Sequence, residues 1–433
     1  MKSLPLLALL IALPLGAAEP LSLSDAIRRS WSAQAGLKAG EAMVESRRAE
    51  ALAYEGLRLP TVGIQAYGMR TDEPMMAFGV KLNQARIGMM DFNPATLNKP
   101  EAIGAFGGGL SLQQPLYAGG RISAAREAGR LLAESERASQ ERRKQEVALA
   151  IVQAYFGAEV ADQAHAWVGE TIAWAEEMER FVRARVDQGL WLPSELARVK
   201  AFRATAEAQG AEIQKQQRTA RSGLGLLTGG NPVEAPLSTP LESPGSAVGG
   251  TGNAERADLQ AAALQAQAAA QGSRAARGGL LPEVGLELGA GTLRHSLSDG
   301  GHWTSASVGL RWKLFNEPER RKAQAAAAQE RAAREMLSFK RQQAAHEVRE
   351  ARDSVTAATA RIQAARQALA AAEESRRLRE ARHKEGLLPL LEVLDAQAAL
   401  EGARTLLLQS LYDLRVNQAR LDLALGTPIE GVQ

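Results

Sequence analysis

Gly189-Leu190-Trp191-Leu192-Pro193-Ser194-Glu195 and Gly386-Leu387-Leu388-Pro389-Leu390-Leu391-Glu392 are two versions of one turn, and they decide the fold. Each places Gly-Leu where a helix must stop, a proline just beyond it, and a glutamate at the start of the next helical run. They stand 197 residues apart (386 − 189). The same offset pairs Ile151 with Val348, Ala154 with Ala351, and Gly229 with Gly426. Further upstream, Leu116-Tyr117 matches Leu314-Phe315, and Leu59-Pro60-Thr61-Val62 matches Leu281-Pro282-Glu283-Val284. Ala-rich helices resemble one another by chance, but chance does not keep a proline, two glycine turns and a helix-ending glycine in order. The chain is an internal duplication.

Each copy predicts the same series of elements. A first helix runs from Ser24 to Gly56, with Ser22 or Ser24 as its cap, and its counterpart runs from Glu255 to Arg277. A strand pair follows, at about 61–114 and 283–314. Val62, Ile64 and Ala66 alternate with Gly63, Gln65 and Tyr67, and Val284, Leu286 and Leu288 alternate with Gly285, Glu287 and Gly289. Period-two alternation marks strands with one apolar and one polar face. The returns are Leu110–Gln114 and Ser305–Leu314. A very long helix comes next, from Tyr117 to Gly189 without a proline, roughly 110 Å at 1.5 Å per residue. Its counterpart, Phe315 to Gly386, has Pro318 only near its start, where proline is tolerated. After the Gly-Leu turn a return helix runs to Gly229 or Gly426, each a suitable C-terminal cap. Copy one thus spans 19–230 and copy two 254–433, joined by a Pro-, Gly- and Ser-rich linker at 231–253.

Composition agrees with long helices packed through small side chains: only 4% of residues are aromatic, too few for a large aromatic core. There is no cysteine, which excludes disulfides, thiol catalysis and Cys-ligated metals. The net charge of +3 implies no nucleic-acid or other strong polyanion partner. Enzyme readings fail on inventory. The five histidines, at 165, 295, 302, 346 and 383, lack metal-ligand spacing, and Gly104–Gly109 lacks the Lys-Ser/Thr of a phosphate loop. No catalytic residue, cofactor or metal is assigned. The insert between the strands of copy one, 70–104, carries Met75, Met76, Met89 and Met90. Clustered methionines can hold soft metals, but a flexible surface loop with methionine filler is the expectation here.

The first residues read as an export signal: Lys2, the apolar run Leu4–Leu15, then Gly16-Ala17-Ala18 at the cleavage positions. No later segment has the apolar length of a membrane helix. Membrane contact then falls to the strands. Four strands per chain cannot close a barrel, and an open sheet edge cannot face lipid. Two chains would give eight strands and three would give twelve, both within the range of spanning barrels.

These features together resemble the TolC-like outer membrane efflux protein family. The resemblance rests on Leu21–Ile27, the Leu-Pro-x-Val strand starts at Leu59 and Leu281, and the Gln114–Arg121 strand-to-helix junction. The two Gly-Leu turns and the Ala424-Leu425-Gly426 ending complete it. It implies a mainly α chain with a small transmembrane β part. In a homotrimer, long helical hairpins would form a periplasmic barrel, and four strands per chain would build a 12-stranded barrel in the outer membrane lipid. It further implies an exit duct for tripartite efflux or type I secretion. A periplasmic adaptor (membrane fusion) protein would dock on the helix tips, and an inner-membrane RND, ABC or MFS pump would supply the cargo, whether drug, metal or protein.

The same resemblance assigns site residues. Glu392 and Asp395, after the second Gly turn, match acidic positions that ring the periplasmic gate; such rings favour cations, although acids at a helix N-terminus are also stabilised by its dipole. Where some members hold a Tyr and Arg latch, this sequence has His383 and Leu388. Arg382 and His383 are therefore the candidates for a different gate latch, and a solvated helix end fits them equally well. Gly189, Leu190, Gly386 and Leu387 are the expected adaptor-contact tips, flanked by Arg185 and Arg382. The competing reading is a periplasmic coiled-coil adaptor, which needs a lipoyl-like β-domain and one hairpin rather than two. Cleavage of the export signal predicts a mature chain beginning at Glu19. N-terminal sequencing of the exported protein checks this, and an intact Met1 would reject it.

Overall fold

The computed structural model describes residues 19–242, 256–296 and 300–429; the export signal and the later part of the linker lie outside them. Helices α1 (Leu23–Ala33) and α2 (Ala35–Gly56) lead into strand β1 (Thr61–Thr71). Helices α3 (Pro74–Asn83) and α4 (Pro94–Asn98) stand between β1 and β2 (Ile103–Ala118). Then follow α5 (Arg121–Asp187), α6 (Pro193–Thr228), α7 (Ala257–Gly278), β3 (Glu283–Arg294), β4 (Gly300–Arg311), α8 (Glu317–Lys384) and α9 (Leu390–Leu425).

Several boundaries differ from the sequence expectation. The first helix is broken at Gln34, whose backbone turns extended. The long helix begins at Arg121 rather than Tyr117, because β2 continues through Pro115 to Ala118. A register irregularity between Pro115 and Tyr117 lets a residue without an N–H sit in the ladder. The last strand ends at Arg311, short of Leu314. The insert 70–104 is not a plain loop. Ala77 and Val80 of α3 form a small core with Ile103, Ala105 and Leu293. Buried Gln84 donates to the Gly104 carbonyl at 3.1 Å, and Lys81 pairs with Asp91 at 2.6 Å. The methionine signal hid this because alternating apolar residues in a short helix look like filler.

The chain forms two compact units that cut across the two sequence copies. One draws on the segments up to Glu41, Ser139–Asp258 and from Arg341 onward; the other on Ala42–Ala138 and Leu259–Lys340. In the first, Tyr155 and Phe156 are fully buried among Leu21, Ile27, Ile151, Leu224, Leu241 and Leu411. Burying a tyrosine requires a partner for its hydroxyl. Tyr155 Oη donates to the Leu21 carbonyl at 2.8 Å and accepts from the Thr239 amide at 2.9 Å. Leu21 also pairs with Leu237 in a short parallel bridge. The first part of the expected linker is therefore pinned to the core, with Leu241 buried.

In the second unit the strands form one antiparallel sheet in the order β1-β2-β3-β4. Each copy supplies one hairpin, and β2 and β3 join them. At the strand-to-helix junction Gly119 and Gly120 both adopt left-handed backbone, φ +58° and +78°. A Cβ on Gly119 would collide with the Gly278 carbonyl and lie 2.8 Å from Leu281 Cβ, whereas one on Gly120 meets open space. Gly120→Ala should therefore cost only the backbone strain, about 1–2 kcal/mol. Gly119→Ala should cost clearly more, because the junction must also open. Thermal unfolding of the two variants checks this, and equal midpoints would contradict it.

Candidate functional site

The hairpin tips are built by one hydrogen-bond pattern used twice. At the end of α5, the Gly189 amide donates to Val186 O at 2.9 Å and the Leu190 amide to Arg185 O at 2.9 Å. At the end of α8, Gly386 donates to His383 O at 2.8 Å and Leu387 to Arg382 O at 2.9 Å. This closure satisfies the last helix carbonyls and needs a left-handed residue, supplied by Gly189 at φ +72° and Gly386 at φ +78°. Pro193 then opens α6 at its first turn, and Pro389 caps α9. The geometry turns Leu190 and Leu387 outward, 61% and 71% exposed.

Beneath the tips lies a core that joins the two hairpins: Met178, Val182, Val199, Leu390 and Val393, with Trp174, Phe181 and Trp191 packed against it. His383 sits in this core, only 3% exposed. Its Nδ1 lies 2.7 Å from the Leu388 carbonyl, so Nδ1 carries the proton and donates. Its ring lies 4.6 Å from that of Trp191 and 6.4 Å from that of Phe181. Nε2 is buried without a hydrogen-bond partner, as is Oε2 of Glu195. Both residues line a cleft of about 430 Å³ between the two turns. Arg382, by contrast, is exposed, and the two latch candidates point to different surroundings.

The acidic candidates also differ from one another. Glu392 accepts from Arg379 at 2.6 Å, with both side chains partly exposed. Asp395, on the next turn of α9, is exposed. Sequence spacing missed Arg379 because it lies on α8, across the hairpin from α9, and only the fold brings the two together. Nearby, Glu380 meets Lys384 at 2.9 Å, Arg376 at 3.0 Å and Trp174 Nε1 at 3.3 Å. Burial opposes its ionisation, but Lys384, Trp174 and Arg376 outweigh burial and hold the carboxyl below its ordinary range.

The sheet presents two unlike faces, because directly opposed residues of antiparallel strands point to the same side. The even-numbered face is apolar and exposed: Val62, Ile64, Leu110, Leu288, Val308 and Leu310, with Ile64 83% exposed. The odd-numbered face carries Gln65, Ser111, Gln113, Glu287, Ser305 and Ser307, interrupted by glycines and by Tyr67 and Trp303. Such a band of apolar side chains, with polar residues behind it, suits a sheet between lipid and water. Among the described residues, no helix is long and apolar enough to cross a membrane.

Comparison with known proteins agrees with these features. The chain resembles the solved channel CusC, with a TM-score of 0.82 at 20% identity over 94% of this chain and 92% of that one. It resembles the outer membrane protein VceC of Vibrio cholerae, with a TM-score of 0.80 at 20% identity over 94% and 97%. It also resembles the MtrE outer membrane channel of Neisseria gonorrhoeae, with a TM-score of 0.80 at 20% identity over 95% and 90%. At such identity these likenesses show the fold. A comparison with curated protein sequences found no significant match. The family described as "Outer membrane efflux protein" matches residues 27–230 and 252–427, which is most of the chain. With its two helical hairpins, its four-stranded sheet and this match, the chain belongs to the outer membrane efflux protein family.

Proposed function

We propose that three copies of this chain close one 12-stranded barrel and serve as the exit duct of a tripartite export system. The carrying observation is the sheet: four strands, one exposed apolar face, and two edges, β1 and β4, that no strand of the same chain covers among the described residues. In lipid each unsatisfied backbone group costs several kcal/mol, so closure with other copies is the physical requirement. Three copies rather than two follow from the family resemblance. On this reading the two repeats span 19–230 and 254–433 with the linker at 231–253, and the family match in two segments supports that division. The helical hairpins extend into the periplasm and the strands lie in the outer membrane.

The tips receive a periplasmic adaptor, which links the duct to an inner-membrane pump. Support comes from the exposed Leu190 and Leu387 on rigid Gly turns, set over a shared core. Replacing either leucine with Asp should abolish export while trimers remain in the outer membrane. Export assays with fractionation check this, and normal export by the variants would reject the docking surface.

Glu392 and Asp395 line the periplasmic gate. Because Glu392 is paired with Arg379, Asp395 carries more of the unbalanced negative charge. Purified protein in planar bilayers should prefer cations. Asp395→Ala and Glu392→Ala should each reduce that preference, since each removes one negative charge and the second also leaves the Arg379 cation unpaired. Unchanged reversal potentials in the double variant would reject the gate assignment.

A further inference from the structure

Two aromatic residues on the odd-numbered face of the sheet lie flat on glycine. A Cβ on Gly291 would come within 2.7 Å of Trp303 Cε2 and Cζ2, and one on Gly289 within 2.8 Å of Cζ3. A Cβ on Gly109 would stand 3.4 Å from Cζ2. The indole thus spreads across three glycines on two neighbouring strands. Tyr67 does the same over Gly107, where a Cβ would lie 2.7 Å from both Cε1 and Cε2. Only glycine leaves room for rings in this pose. Each ring uses one face to cover the backbone, and the other face is open: Tyr67 is 48% and Trp303 40% exposed.

The register sets the two ring positions in adjacent rows of one face. Trp303 is opposite Gly291, which is opposite Gly109 and then Gln65; Tyr67 and Gly107 occupy the next row on the same face. Their uncharged neighbours, Gln65, Ser111 and Ser305, offer hydrogen bonds without a fixed charge. The same face is covered by α3 in Tyr67's own row, where Ala77 and Val80 pack on Leu293 and the helix end abuts Gly301, and in the next row, at Ala105. The insert therefore folds onto the face that carries the rings, not onto the apolar face. If the even-numbered face meets lipid, the odd-numbered face lines the lumen, and α3 narrows it from Tyr67's row onward.

We propose that Tyr67 and Trp303 form a stacking platform on the lumen wall for planar aromatic small molecules leaving the duct. This rests on the exit-duct reading above. Stacking on an open, pre-oriented ring adds a modest attraction, and weak contact suits a conduit, where a solute must bind and leave. Covering the glycines alone would need only one apolar side chain of either shape, and it would not require a planar ring.

The test uses the full chain in planar bilayers. Proflavine, a planar tricyclic dye, should block single-channel current. Its half-blocking concentration should rise roughly tenfold in the Tyr67→Leu/Trp303→Leu double variant, which keeps an apolar cover. Block by tetrapropylammonium, a cation without a ring, should be the same in both. No block of the parent channel by proflavine, an unchanged block in the variant, or an equal shift for both probes would overturn the proposal. Should the double variant not assemble, Tyr67→Leu alone gives the same comparison. The chain has no cysteine, so a charged, water-soluble thiol reagent should label Trp303→Cys and not Val308→Cys. The reverse would overturn the face assignment and the platform with it. A parent protein that forms no pore would instead reject the exit-duct reading.

Discussion

A strand edge inside hydrocarbon has nowhere to send its N–H and C=O groups. That constraint governs the molecule. The sheet of this chain is complete within itself in every respect but two: β1 and β4 each keep one side unpaired among the described residues. Its even-numbered face is too apolar and too exposed for water, as Ile64, Val308 and Leu310 show. Among the described residues no further strand is left to repair either defect. Both are repaired at once when copies join edge to edge around a closed barrel, because closure pairs the edges and turns the apolar face to lipid.

The helices carry the same dependence on neighbours in a milder form. Many of their buried positions are alanine, including Ala148, Ala158, Ala365 and Ala419, which permit close approach but contribute little burial each. Aromatic side chains gather in two places. Around Tyr155 they pin the start of the chain and the segment near Leu237 to the helices. Under the tips, Trp174, Phe181 and Trp191 tie one hairpin to the other. The tip geometry is thus held from below by packing and from within by the two left-handed glycines.

At the tips, charge and burial divide the candidate residues into different roles. His383 is part of the packed core and shares a hydrogen bond with the turn itself, so it ties the second turn to the first hairpin through Trp191. Arg382 faces solvent. Glu392 is engaged by Arg379, while Asp395 is exposed, so two acids that look equivalent in sequence present different charge to whatever passes.

The duplicated order of turns, strands and helices was legible in the sequence because each signal is local. Gly189 and Gly386 mark positions that need left-handed backbone, alternation from Val62 to Tyr67 marks a two-faced strand, and the absence of proline between Tyr117 and Gly189 permits one long helix. Strand counting also required no coordinates. What the sequence could not show depends on residues far apart in the chain being brought together. Arg379 reaches Glu392 only because the hairpin closes. Trp303 finds its bed on Gly109 and Gly291 only because β2 pairs with β3 and β3 with β4. The insert packs on one particular face only because α3 meets Ala105 and Leu293 across the sheet. Local backbone preference is written in neighbouring residues, whereas pairing, burial and the side chosen by an insert are decided by the register of distant strands and the crossing of distant helices.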